Sequence, residues 1–137
     1  MRYNPRELRG GKLDMAVAMC EGYRFGNPQP RTDAWLLFPL AIPGDNRLSS
    51  VGWDIASQQW GVNVRRYSSE DRHAGPIIDR EKIGTLYEHS DRHGGFCWFA
   101  SLTNAVQTTA TPGDTRLEAA MRLYVYKHLG PELELPI

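Results

Sequence analysis

The sequence predicts an α+β fold: a mainly antiparallel sheet covered by an N-terminal and a C-terminal helix. Three observations carry the prediction. An apolar stripe at helical spacing lies near the start, a second lies near the end behind a capping signal, and short apolar or alternating runs broken by Gly and Pro fill the space between. The 137 residues form one domain, 1–137, without internal repeat or low-complexity tract.

The first helix is predicted over Lys12 to Glu21, because Leu13, Ala16, Val17 and Cys20 recur at i, i+3, i+4 and i+7 and Gly22 offers a stop. From Arg24 to Pro30 the chain reads as loop, since Pro28 and Pro30 remove backbone donors. Trp35-Leu36-Leu37-Phe38 reads as a buried strand whose pairing Pro39 and Pro43 restrict. Gly44-Asp45-Asn46 signals a turn, and the stretch around Trp53 shows no clean period.

Trp60, Val62 and Val64 alternate with Gly61, Asn63 and Arg65, the period-two pattern of a half-buried strand. After a polar turn at Tyr67-Ser68, Pro76 is placed at the first position of a single helical turn over Ile77 to Ile83, followed by a short strand to Tyr87. Phe96 to Leu102 is apolar on both sides, with Phe96, Trp98, Ala100 and Leu102 on one and Cys97 and Phe99 on the other, so it reads as a central strand. Thr115 and Glu118 form a capping box that opens the second helix, Thr115 to Leu129, with Leu117, Ala120, Met121, Tyr124 and Val125 as its buried stripe. Gly130-Pro131 ends it, and Leu133, Leu135 and Ile137 alternate as a final edge strand.

Sixteen Lys and Arg balance sixteen Asp and Glu. That balance removes the electrostatic footprint of a general nucleic-acid binder. No run approaches the roughly 20 apolar residues that cross a bilayer, and Met1-Arg2-Tyr3-Asn4-Pro5 opens no signal peptide, so no membrane partner is expected. The two cysteines, Cys20 and Cys97, lie in apolar segments and are expected to be buried, reduced thiols of a cytosolic protein.

A set of short motifs occurs in a fixed order: Leu13-Asp14 with Ala16-Val17-Ala18, then Tyr67-Ser68, Gly75-Pro76-Ile77-Ile78 with Arg80-Glu81 and Ile83, then Trp98-x-Ala100, and finally Leu117 with Ala119-Ala120-Met121-Arg122 and Tyr124-Val125. In this the chain resembles the NinX-like family of small proteins encoded by tailed bacteriophages and prophages, over nearly its whole length. It departs at Met15 and at Arg72-His73-Ala74, near which family members often carry tryptophan, and 24–66 has no clear counterpart. The resemblance implies phage origin, an accessory role and residence in the cytoplasm of the infected bacterium, and it supplies no catalytic residues.

The residues themselves offer few chemical constellations. His89 and His93 have the spacing of a ligand pair, but no third ligand accompanies them and Gly94-Gly95 favours a solvated turn, so neither metal nor cofactor is expected. Cys97 between Phe96 and Trp98 reads as an inert thiol rather than a nucleophile. Glu70-Asp71, Asp79 and Glu81 serve as charged turns and helix starts before they serve as acid and base.

The most suggestive cluster is Tyr67, Ser68, Gly75, Pro76 and Arg80, with Trp98 and Arg122 at its edge. An aromatic face, a hydroxyl, a helix start and guanidinium groups suit a phosphate-bearing ligand with an aromatic base. The plainer alternative pairs Arg80 with a neighbouring acid, and Trp53 and Trp60 stand as the fallback site. The expectation that follows is a phage accessory protein, with a possible anti-defence role, that binds and sequesters a small nucleotide-derived host immune signal without turnover. A protein-binding inhibitor of a host factor and an enzyme that cleaves a nucleotide signal are the alternatives, and a homo-oligomer is compatible with all three.

Overall fold

The computed structural model describes residues 1–61, 63–102 and 110–137, with the side chain of His93 left out. Among the described residues three helices and ten strands make an α+β fold in which every strand pair is antiparallel. The single sheet expected from sequence is three sheets. β1 (Arg2–Tyr3) pairs with β10 (Leu133–Glu134). A five-stranded sheet contains β2 (Arg24–Phe25), β3 (Gln29–Pro30), β4 (Trp35–Ala41), β5 (Ser49–Asp54) and β6 (Gln59–Trp60). A three-stranded sheet has the order β7 (Ile83–Ser90), β8 (Gly95–Leu102), β9 (Thr111–Gly113).

The helices lie between sheets rather than over one. α1 (Gly10–Cys20) touches β6 and α3 (Arg116–Leu129), and α3 touches all three strands of the β7-β8-β9 sheet. α1 therefore buries more than the predicted stripe: Met15 and Ala18 are as inaccessible as Leu13, Ala16 and Val17. These residues share one core with Leu117, Ala120, Met121, Tyr124 and Val125 of α3. On the other side of α1, Phe38, Val51, Trp53 and Trp60 form an aromatic layer in which the Trp53 and Trp60 rings lie 4.6 Å apart. The indole N–H of Trp60 donates to the Gly11 carbonyl at 2.7 Å. A Cβ at Gly11 would lie 2.6 Å from the Trp53 ring, so only glycine lets the start of α1 approach this closely.

Residues 24–30, expected as loop, form an edge strand in two pieces. Phe25 is opposite Leu40 and Gln29 is opposite Leu37, so three residues face two and a bulge falls at Gly26-Asn27-Pro28. Gly26 N–H donates to the Pro39 carbonyl at 2.8 Å. Pro39, which has no donor to offer, lies opposite this bulge, and β4 runs through it to Ala41 where the sequence suggested a stop. Burial of Val51 and Trp53 on alternate positions makes β5 out of the stretch with no clear period.

Of the described residues in the alternation from Trp60 to Val64, Trp60 alone is in a strand. The Gly61 amide bonds the Gly52 carbonyl at 2.9 Å, the Asn63 side chain donates to the Ser50 carbonyl at 3.1 Å, and Val64 closes a turn onto Gly61. Val62 lies outside the described residues.

The largest difference is α2 (Asp71–Glu81), eleven residues long with Pro76 in its interior rather than at its start. Ala74, Ile77 and Ile78 at i, i+3 and i+4 supply an apolar face, whose packing outweighs the helical bond to the Arg72 carbonyl that Pro76 cannot make. Lys82, in the left-handed conformation at φ 54°, ends the helix and turns the chain into β7.

β8 is the centre of its sheet, as expected, but it is not buried on both faces. Ala100 is inaccessible under α3, whereas Phe96 near the hairpin end is 63% exposed and Cys97 and Phe99 are half-buried. At the start of α3 the Thr115 hydroxyl accepts the Glu118 amide at 3.1 Å, and the Glu118 carboxylate returns to the Asp114 amide at 3.0 Å, one residue earlier than a capping box requires.

β9 is pressed against α3: a Cβ on Gly113 would lie 2.8 Å from the Ala119 Cα. Gly113→Ala therefore lowers stability by about 1–3 kcal/mol, since backbone must move to admit the methyl group. Gly75→Ala in α2, whose added methyl group meets no other element but faces the ring of Pro76 next in the chain, raises it by at most about 0.5 kcal/mol, the gain in helix propensity being partly offset by that contact. Urea denaturation of the two variants reads both signs.

Candidate functional site

The residues singled out from sequence are placed in three different surroundings. Tyr67 is 2% exposed, its hydroxyl bonded to Tyr23 and its ring edge-on to His73, so its face is spent on packing. Burial pushes its hydroxyl up to about 12. Ser68 is a backbone anchor: its amide donates to the Asp14 carboxylate at 2.7 Å and its hydroxyl to the Gly10 carbonyl at 3.4 Å. Gly75 and Pro76 lie within α2, which removes the helix start on which an anion was to rest. The true start, at Asp71, carries a carboxylate paired to Arg116.

Arg80 follows the plainer alternative. Its Nη1 and Nη2 fork onto the Glu21 carboxylate at 3.2 and 2.9 Å, and Nη2 also donates to the Tyr124 hydroxyl at 3.0 Å. The Tyr124 hydroxyl in turn donates to Glu21 at 2.7 Å. Burial raises the Glu21 carboxyl, but these donors outweigh it and hold it below its ordinary value. One ion pair thus joins the end of α1 to α2 and α3. Trp98 is half-buried with its ring 5.2 Å from Tyr87. The fallback pair, Trp53 and Trp60, belongs to the core.

Arg122 alone of the set lines an open groove of about 850 Å³. Its guanidinium is buried, and each of its three nitrogens has a partner. Nε donates to the Leu8 carbonyl at 2.7 Å, Nη1 to the Pro112 carbonyl at 3.0 Å, and Nη2 pairs with Glu118 at 3.1 Å. Burial lowers its pKa from the ordinary arginine value. Arg122 is therefore the inner wall of the groove.

The groove's outer wall comes from two loops distant in sequence. Asn4 accepts the Arg6 amide at 3.0 Å and Pro5 fixes the first position of a 3-10 turn, which presents Arg6 and then Arg9. The guanidinium of Arg6 lies 5.7 Å from the centroid of the Tyr126 ring. Arg9 meets Asp114 at a loose 3.8 Å, with both side chains at least 70% exposed. Opposite, the turn at Asp91–His93 between β7 and β8 supplies Arg92, and β8 supplies Phe96.

Cys97 also lines this groove, and neither cysteine is in the fully buried core expected of them. Burial, with Asp114 and Glu88 nearby, raises the Cys97 thiol, which stays protonated at neutral pH; burial pushes Cys20 up to about 12. Among the described residues no three metal-ligating side chains gather, and His93 lies outside those whose side chains are described.

Sequence reading missed Arg6, Arg9 and Arg92. Arg6-x-x-Arg9 precedes the first periodic segment, and Arg92 falls in a stretch assigned to a solvated turn. Nothing local says that the two meet.

The Asp14 carboxylate, 6% exposed under the Ser68 loop, titrates well above the usual range: burial pushes it up to about 6, against the lowering effect of the Ser68 bond. A folded-state pKa above the unfolded value means that the folded form holds the proton more tightly. This contribution is complete below about pH 4 and is lost as pH rises through 6. Relative to Asp14→Asn, the unaltered protein gains about 2 kcal/mol of stability between pH 7 and pH 4. Denaturant melts of both proteins across that window measure the difference directly.

The family model described as Bacteriophage P22, NinX matches residues 4–128. No curated protein matches the chain. Met15 and Ala74, which stand at or beside the positions of the expected family tryptophans, are both fully buried. No helix among the described residues is long and apolar enough to cross a membrane. With the match spanning nearly all of its length, the chain belongs to the NinX family of phage proteins.

Proposed function

We propose that this phage accessory protein captures a small nucleotide-derived ligand in the groove between the N-terminal turn and the β7–β8 hairpin, and releases it unchanged. In the infected cell such capture withdraws a host immune signal. The observation that carries the reading is the convergence on one open groove of Arg6, Arg9 and Arg92 with the 63% exposed ring of Phe96. Guanidinium groups bind phosphate oxygens in a two-point fork, and an exposed ring stacks on a base irrespective of its identity.

The volume of about 850 Å³ is within the range of small-molecule sites. Arg122 lends its charge to the inner wall without leaving its carbonyl partners. Asp114 holds Arg9 only loosely, and a ligand phosphate displaces it at little cost. The groove carboxylate Asp114 pairs with Arg9, an arrangement for holding charge rather than for moving protons.

Calorimetric titration with ADP tests the reading. Arg92→Ala weakens binding by tenfold or more and Arg92→Lys recovers part of the loss, because an ammonium lacks the planar fork. Phe96→Ala costs about 1–3 kcal/mol of binding. Arg80→Ala removes a half-exposed ion pair, lowers stability by about 1 kcal/mol and leaves ADP affinity unchanged. Loss of affinity in Arg80→Ala with none in Arg92→Ala would return the site to the Tyr67 and Arg80 cluster. Recovery of ADP after denaturation distinguishes capture, which returns it intact, from cleavage.

A further inference from the structure

We infer that β7 is a docking edge for a second copy of this chain, and that two copies join β7 to β7 in antiparallel register to form one continuous six-stranded sheet. β7 is the outer strand of the β7-β8-β9 sheet, and no described strand pairs with its free side. An unpaired edge offers a row of N–H and C=O groups to any passing strand, and soluble proteins blunt such edges with proline, lysine, bulges or shortness.

The other edges of this molecule are blunted in those ways. The β2–β3 edge carries a bulge and Pro28 and Pro30, β6 and β10 are two residues long, and β9 is three residues long with Pro112 in its middle. β7 has none of these devices. Its eight residues pair with β8 without a register break from Ile83 opposite Leu102 to Ser90 opposite Gly95, and they contain no Pro, Lys or Arg.

The strand is also apolar where it is exposed. Leu86 and Tyr87 are 58% and 54% exposed, and Phe96 on the neighbouring strand packs its ring 5.5 Å from Tyr87. Free edge and exposed side chains coincide, so what covers them is a strand. That the strand is this same one follows from symmetry and charge. A two-fold axis through the edge relates two β7 strands only in antiparallel fashion. Lys82 precedes β7, while Glu88 and Asp91 mark its end, so antiparallel pairing sets the cation of each copy beside the acids of the other. Leu86 and Tyr87 of each copy, both more than half exposed, are covered together with the two backbone edges, a contact at the low end of interface sizes, so the dimer is reversible.

Sedimentation equilibrium of the free protein, from low micromolar to near-millimolar concentration, tests this. The expected result is a rise from the 15.5 kDa of one chain toward twice that mass. Leu86→Lys, which sets a charge on the exposed edge, remains a single chain throughout, with the far-ultraviolet circular dichroism of the unaltered protein. Hydrogen exchange on the unaltered protein stands independently of the variant: amides of residues 84–89 exchange more slowly as concentration rises. A constant single-chain mass overturns the inference and leaves the edge to a strand from another protein. A dimer that survives Leu86→Lys, or that forms without slowing those amides, overturns it as well.

Discussion

Much of the molecule's organisation hangs on the Arg122 guanidinium. A cation taken out of water is tolerated only when its donors are satisfied, and the cost of leaving one unpaired is several kcal/mol. Arg122 meets that demand with three partners from different parts of the chain: the Leu8 carbonyl before α1, the Pro112 carbonyl of β9, and Glu118 one turn back on α3. Those bonds fix the N-terminal turn against the β7-β8-β9 sheet across the helix between them. The space left beside them is the groove. Glu118 serves twice, since the carboxylate that pairs with Arg122 also receives the Asp114 amide at the helix start. The cap of α3 and the wall of the groove are therefore one hydrogen-bonded unit.

Two further ties complete the frame at the ends of α1. At its start, the Trp60 indole bonds the Gly11 carbonyl and the Ser68 amide bonds Asp14, joining the five-stranded sheet and the 65–70 loop to the helix. At its end, Glu21 receives Arg80 and Tyr124, joining α2 and α3. The residues that looked most like a phosphate site from sequence thus include much of the framework. Serine, tyrosine and arginine suit either task for the same reason, namely strong directional hydrogen bonds, and only their partners decide between the two.

What was legible in the sequence was local. The stripe Leu13, Ala16, Val17 and the stripe Leu117 to Val125 announce helices because helical spacing is a property of the segment alone, and both were found with their shared core. Likewise Phe96 to Leu102 announced a central strand. Pro76 misled because the rule that proline begins a helix is weaker than the packing of Ala74, Ile77 and Ile78, which carries α2 back to Asp71. The bulge at Gly26 was hidden because it exists only opposite Pro39. The division into three sheets could not be read either, since pairing between strands is decided by the helices wedged among them.

The groove was invisible for a related reason. Arg6, Arg9 and Arg92 belong to no periodic segment, and a charged residue in a turn carries no local mark of having a task. Net charge gave no help, because a chain with sixteen charges of each sign can be neutral as a whole and positive in one concavity. This is the setting in which a small neutral protein can bind an anion: the long-range field that would draw it to any nucleic acid is absent, while within a Debye length of the groove the arginines still act. Selectivity then depends on the fit of one ligand to three guanidinium groups and one ring. The hairpin that places Arg92 and Phe96 is the same element whose outer strand lies open, so whatever orders β7 also steadies one wall of the groove.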